Sequence, residues 1–132
     1  MKKGYKNNIE KLTEENNDFR RVLYTGAHSQ LVLMTLRKGE EIGEEVHSEN
    51  DQFFRFESGT GRVLINDTTY EVGSGDAVIV PVGAKHNIIN TGESALKLYT
   101  IYSPAHHRDG TVHITRSEAL TDKEEFDGTT SE

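Results

Sequence analysis

Along most of this chain, apolar residues fall on every second position. Gln30, Val32, Met34 and Leu36 share one parity of the run 29–37, and Gln52, Phe54 and Phe56 repeat the arrangement further on. A period of two marks strands with one face against a core and the other against water. Further runs at 19–24, 53–57, 62–66, 68–72, 77–80, 86–90, 95–102 and 111–115 are separated by turn residues such as Ser58-Gly59-Thr60-Gly61, Asn66-Asp67 and Gly73-Ser74-Gly75-Asp76. Only two short helices are predicted. One covers residues 9–16, capped by Asn7 or Asn8 with Ile9 and Leu12 on one face; the other is a turn at 117–120 capped by Ser117. No long helix interrupts the strands, so the pattern predicts an all-β sandwich or barrel. The first helix is too short to stand alone and has to dock, on the barrel or on a neighbouring subunit.

A length of 132 residues suits one domain. It divides into an N-terminal arm with the short helix at 1–18, a β-barrel at 19–115 and a polar C-terminal tail at 116–132, of which residues 121–132 are expected to be loosely held and to carry no chemistry. The formal net charge is −7 and the 15 basic residues form no cluster, which argues against nucleic acid as a partner. The chain has no cysteine, so disulfides, thiolate metal sites and cysteine nucleophiles are excluded. Met1-Lys2-Lys3-Gly4-Tyr5 leads into no apolar run, so neither a signal peptide nor a membrane segment is expected, and the cytoplasm is the expected location.

Candidate chemistry concentrates in Val46-His47-Ser48-Glu49-Asn50-Asp51-Gln52-Phe53. On an extended strand His47 and Glu49 leave the same face, and Gln52 follows across a turn at Asn50-Asp51. With His86 these residues offer two neutral nitrogens, one carboxylate and one amide, a donor set suited to a divalent cation. Gln52 is either a ligand or a structural amide. Phe54 and Phe56 form an apolar inner wall. Tyr102, in phase with Leu96 and Leu98, is either a packed core phenol or a group at the cavity. Gln30 is likewise either a strand glutamine with a partner or a polar group offered to the cavity.

Gly75, Pro81, Gly83, His86 and Asn90 reproduce the second motif of the cupin superfamily, Gly-x5-Pro-x-Gly-x2-His-x3-Asn. The first cupin motif places a His, a second His two residues on, a Glu three after that and a Gly seven further; these positions hold His47, Glu49, Gln52 and Gly59. The chain therefore resembles a cupin with a variant metal site. The resemblance implies a single-domain double-stranded β-helix, or jelly-roll, holding one divalent ion (Zn, Fe, Mn or Ni) through His47, Glu49, His86 and Gln52. Cupins with Gln at the Glu position include ring-opening enzymes for uronate sugars, and small cupins are similar to sugar-phosphate isomerase domains. An isomerase or ring-opening enzyme acting on a small-molecule substrate is thus implied, using the metal as Lewis acid, with Glu49 and Tyr102 as candidate catalytic groups. An Fe(II)-dependent dioxygenase and a non-catalytic binding module are the alternatives. A two-fold homodimer is expected from the resemblance and from an apolar outer face at Phe53.

Three of the six histidines, His106, His107 and His113, fall after residue 102. On extended chain His106 and His107 point to opposite sides, which argues against a second metal site there. His28 and His113 are expected to be hydrogen-bonded surface or core groups, and Asn90 a turn-stabilising residue.

Overall fold

Asn8 starts the regular structure: its side-chain oxygen accepts a hydrogen bond from the Lys11 amide at 3.0 Å and caps α1, Ile9–Glu15. The computed structural model describes residues 1–132. Ten strands follow: β1 Arg20–Thr25, β2 Gln30–Leu36, β3 Glu45–Val46, β4 Asp51–Ser58, β5 Thr60–Ile65, β6 Thr68–Gly73, β7 Ala77–Val80, β8 Lys85–Asn90, β9 Leu96–Ser103 and β10 Val112–His113. A second helix, α2 (Arg116–Thr121), closes the list and is capped by Thr115, whose hydroxyl accepts from the Glu118 amide. The cap is thus two residues before Ser117, because Thr115 is the last residue in the extended conformation a cap requires.

The strands form two antiparallel sheets, one of order β10-β1-β2-β9-β4-β7 and one of order β3-β8-β5-β6. Between them lie Val32, Met34 and Leu36 of β2, Phe54 and Phe56 of β4 and Leu96 and Leu98 of β9, facing Val63 and Ile88 of the smaller sheet. Burying each of these side chains stabilises the fold by about 1.5–3 kcal/mol. At one end of the larger sheet the same inward parity turns polar. Gln30 pairs with Tyr102, and Tyr102 with Gln52, in one row across β2, β9 and β4. That end of the barrel is built for a polar occupant.

Turn chemistry sets the registers. The β5–β6 hairpin reverses at Asn66, which takes a left-handed φ of 49° that Asn tolerates. Gly59 has φ +90°, and a Cβ there would lie 2.5 Å from the Ala95 carbonyl oxygen, so only glycine lets β4 leave past β9.

Helix α1 docks on its own barrel, against the outer face of β2, β4 and β9. The Lys97 ammonium donates to the Asn16 carbonyl at 2.6 Å, and the Asn16 amide donates to Thr35 Oγ1 at 3.1 Å. The C-terminal segment is also fastened, in contrast to the loose tail expected from its composition. The Phe126 amide donates to the His106 carbonyl at 3.0 Å and the Ser131 amide to the Thr25 carbonyl at 2.8 Å. The Glu132 carboxylate accepts from Tyr24 Oη at 2.8 Å and from the Gly4 amide at 2.9 Å. No helix is long and apolar enough to cross a membrane.

Candidate metal centre

Strand β3 is only two residues long, and its register decides the site. Glu45 lies directly across from His86 on β8, and Val46 across from Lys85. Val46 points outward, so its neighbours Glu45 and His47 point inward toward His86. A ligand atom from each of Glu45, His47 and His86 lies within 4.8 Å of the others, the one such grouping in the molecule. Beyond Val46 the strand ends, and Ser48 and Glu49 form an exposed bend.

The carboxylate that joins the two imidazoles is therefore Glu45, and Glu49 stands at the rim. The parity that paired His47 with Glu49 holds only while the chain stays extended, and it does so on the N-terminal side of His47. The same parity counted backwards from His47 reaches Glu45, which is the signal that could have found it.

Each imidazole is held ready. His86 Nδ1 lies 3.0 Å from the Ala84 carbonyl oxygen, which can only accept, so Nδ1 carries the proton and Nε2 keeps a bare lone pair. That Nε2 is buried and has no protein partner. His47 Nε2 lies 3.0 Å from Glu45 Oε2, yet outside the direction in which a ring N–H would point, and it too has no hydrogen-bond partner. Burial raises the Glu45 carboxyl, but the adjacent His47 and the charge of Arg20 outweigh it and hold it below its ordinary value.

Gln52 sits on the facing sheet and is 2% exposed. Its amide nitrogen donates to Thr100 Oγ1 at 3.0 Å, and its carbonyl oxygen is buried without a partner. Thus Nε2 of His47, Nε2 of His86 and Oε1 of Gln52 are three buried polar atoms left unpaired. Each costs about 1–3 kcal/mol as such. The donor set of Glu45, His47 and His86 fits a divalent cation, with two neutral nitrogens for affinity and one carboxylate for charge, and Gln52 Oε1 on the facing sheet is a further unpaired oxygen inside the barrel.

Tyr102 and the two histidines of the following loop complete the surroundings. His107 Nδ1 lies 2.6 Å from Glu124 Oε1, so it donates there, and its Nε2 accepts from the Tyr102 hydroxyl at 3.2 Å. Burial pushes the Tyr102 phenol well above its usual value. Burial lowers His107, only partly offset by the Glu124 hydrogen bond. Burial acts to raise Glu124, but the His107 and Arg108 hydrogen bonds overcome it and bring the carboxyl down to about 2. His106 is turned the other way: its ring centroid lies 4.4 Å from that of His47 and stacks on Tyr102 at 5.2 Å. Burial, with His107 and His47 adding to it, lowers His106 to about 4.

Gln30 is a structural clamp. Its Nε2 donates to Thr25 Oγ1 and to the His107 carbonyl, and its Oε1 accepts the amides of His106 and His107. His113 is buried between Arg20 and Asp122, so the three late histidines do not gather around a second metal. Asn90 secures its turn by donating to the Leu36 and Ser94 carbonyls.

A pocket of about 290 Å³ opens over His47, walled by His106 and Phe126 and rimmed by Glu49 and Glu125. A larger groove of about 390 Å³ between Tyr70 and Ile79 gathers none of the metal-ligating side chains; of these, His47 lines the pocket beside His106, and His86 lines a separate one of about 190 Å³ next to Lys85 and Asn87. Neither His106 nor residues 124–126 carried a periodic or motif signal in the sequence, since both lie in irregular chain.

Residues 32–102 match the family described as Cupin domain. The crystal structure of BH2720 from Bacillus halodurans superposes with a TM-score of 0.90 at 42% identity, covering 91% of this chain and 96% of that one. YrkC of Bacillus subtilis is 45% identical over 119 residues, 86% of this chain and 64% of its own length. The chain thus spans just under two thirds of that relative. A protein of Acanthamoeba polyphaga mimivirus is 41% identical over 116 residues, 85% of this chain and 72% of its own.

Proposed function

The chain belongs to the cupin family, and on that premise we propose that it is a small-molecule enzyme of the isomerase or ring-opening type, holding one divalent metal ion through Glu45, His47 and His86 with Gln52 beside them. The observation that carries this reading is the set of three unpaired buried atoms on His47, His86 and Gln52. A bound divalent ion supplies Lewis acidity, polarising a carbonyl or hydroxyl oxygen of the substrate.

The chain's own residues supply the rest. His86 is locked in one tautomer by the Ala84 carbonyl, and His47 is fixed at the strand end by the Gly83 amide, which donates to its carbonyl at 2.9 Å. Glu45 keeps one negative charge at the centre, and Oε1, the oxygen not turned to His47, is free to take a proton from the substrate. Tyr102 and Phe54 exclude water from the inner side. Gln52 adds an oxygen without adding charge.

A second reading, an Fe(II)-dependent dioxygenase, draws support from the two-His, one-carboxylate composition of Glu45, His47 and His86. Metal analysis of the purified protein, followed by assays of each reconstituted form, tests both. Turnover of hydroxy-carbonyl compounds with Zn or Mn and no oxygen supports the first; oxygen consumption by the anaerobically prepared Fe(II) form supports the second. Failure to bind any divalent ion removes both.

A further inference from the structure

The pocket above His47 contains no lysine or arginine among its lining residues, and its rim carries two carboxylates, Glu49 and Glu125. Neither forms an ion pair or hydrogen bond, so their charges are not locally compensated. Glu125 is held in place although it lies in the C-terminal segment. On one side Glu124 is bonded to His107 Nδ1 and to the Arg108 amide, and on the other the Phe126 amide is bonded to the His106 carbonyl. Three fastenings within three residues fix that rim. The one buried cation of this region, Arg20, donates to His113 Nδ1 at 3.1 Å and does not line the pocket.

His106 is the polar side chain inside the rim. Its backbone amide is accepted by Gln30 Oε1 at 3.1 Å, and the preceding carbonyls of Pro104 and Ala105 accept from Asn50 Nδ2 at 2.5 and 3.3 Å. Two buried amide side chains therefore clamp the loop that presents it. The ring is sandwiched against His47 and Tyr102, partly buried at the pocket wall, and neither of its nitrogens has a partner within the protein. A neutral imidazole offers one donor and one acceptor, which matches a hydroxyl or a primary amide on a bound molecule.

We propose that the rim carboxylates Glu49 and Glu125 weigh against carboxylate- or phosphate-bearing compounds and so favour a neutral or cationic hydroxy-carbonyl compound in this pocket, and that His106 is the side chain that hydrogen-bonds it. The inference rests on the metal reading above, which reaches this pocket through His47. It adds the charge class of the substrate and a contact residue.

The test is calorimetric titration of the metal-loaded full chain with two probes of nearly equal shape, lactamide and lactate. A carboxylate is intrinsically the stronger metal ligand, so the quantity that decides is the change in the lactate-to-lactamide affinity ratio. In the double variant Glu49→Gln/Glu125→Gln at low salt, that ratio is expected to rise about fivefold, since two rim charges within a Debye length act on the anion alone. His106→Phe keeps the stack on Tyr102 and loses the hydrogen bond; lactamide affinity is expected to fall about tenfold with metal affinity unchanged, and His106→Gln to recover part of it. An unaltered ratio in the double variant, unaltered lactamide affinity in His106→Phe, or no lactamide binding by metal-loaded protein would each overturn the inference. Protein that takes up no metal overturns the proposed function instead, so the two failures are told apart.

Discussion

Glu45 and His86 face each other across the antiparallel β3–β8 pair, one residue on each strand, so a carboxylate and an imidazole from different parts of the chain meet at one point. Directly opposed residues have Cβ atoms about 4.5–5.5 Å apart, the spacing at which two side chains share a cation. His47, two residues beyond Glu45 on the same face, completes the set.

This pairing separates two carboxylates that sequence parity treats alike. Glu45→Gln removes the centre's only negative charge and is expected to weaken divalent-metal affinity by more than about 100-fold. Glu49→Gln alters only the rim and is expected to change metal affinity by less than about fivefold. Calorimetric titration of both variants checks this; equal losses would return Glu49 to the centre.

The difference shows what the sequence makes legible. Period-two alternation located the strands, and turn residues such as Asn66 and Gly59 marked their ends, because both are local properties. His47 and His86 were legible through spacing. Glu45 was not, since parity says which residues share a face but not where a two-residue strand stops. His106 lies in an irregular loop whose position is set by Gln30 and Asn50, 76 and 56 positions away in the chain, a relationship that no local pattern encodes. The same holds for Glu124, whose partner His107 is 17 residues earlier.

Acid should loosen the C-terminal segment. Glu124 has its carboxyl lowered to about 2 in the folded protein from an ordinary 4.5, so its contribution is fully present above about 4.5 and is lost as pH falls toward 2. The lowered His107 acts in the same direction, since a group that resists protonation when folded destabilises the fold as pH falls below its ordinary 6.5. Glu124→Gln should lower the melting temperature at pH 6, and the gap from the parent should shrink at pH 3. A gap that is constant with pH would show that the carboxylate's charge is not what fastens the segment.

Metal and stability are expected to be coupled. An ion held by Glu45, His47 and His86 binds the folded set, so at 100 times its dissociation constant it should add about 2.7 kcal/mol. For a domain of this size that raises the melting temperature by roughly 8–12 °C. The rise should fade as pH falls and protons compete for the imidazoles. Scanning calorimetry with and without a chelator at neutral pH measures it. No change in protein shown to contain metal would mean that the ion sits elsewhere.

The outer face of the larger sheet bears on assembly. Ile79, Phe53, Ile101 and Leu31 form one row across β7, β4, β9 and β2, and Phe53 packs against Tyr99 with ring centroids 6.2 Å apart. Ile79 at the end of that row is 66% exposed. A continuous apolar row of this kind is expected to be covered in a two-fold homodimer. Sedimentation at micromolar concentration should show a dimer, converted to monomer by Phe53→Glu. A monomer in the parent protein would remove this assignment.

Gln52 is buried opposite Tyr102 on the facing sheet, and its role turns on where its unpaired oxygen is aimed. Its amide nitrogen is already committed to Thr100 Oγ1, so Oε1 is the atom left for a cation. Gln52→Glu keeps the shape and adds a second negative charge; the Thr100 hydroxyl can rotate to donate to the new carboxylate, so the fold should tolerate the change. With two carboxylates, divalent-metal affinity is expected to rise about tenfold or more. Turnover should fall, because a more fully neutralised cation polarises a carbonyl less. Calorimetry for affinity and steady-state rates for turnover give the two halves of the result. Unchanged affinity in Gln52→Glu, beside a large loss in Glu45→Gln, would confine the ligands to Glu45, His47 and His86 and leave Gln52 as an amide that holds Thr100.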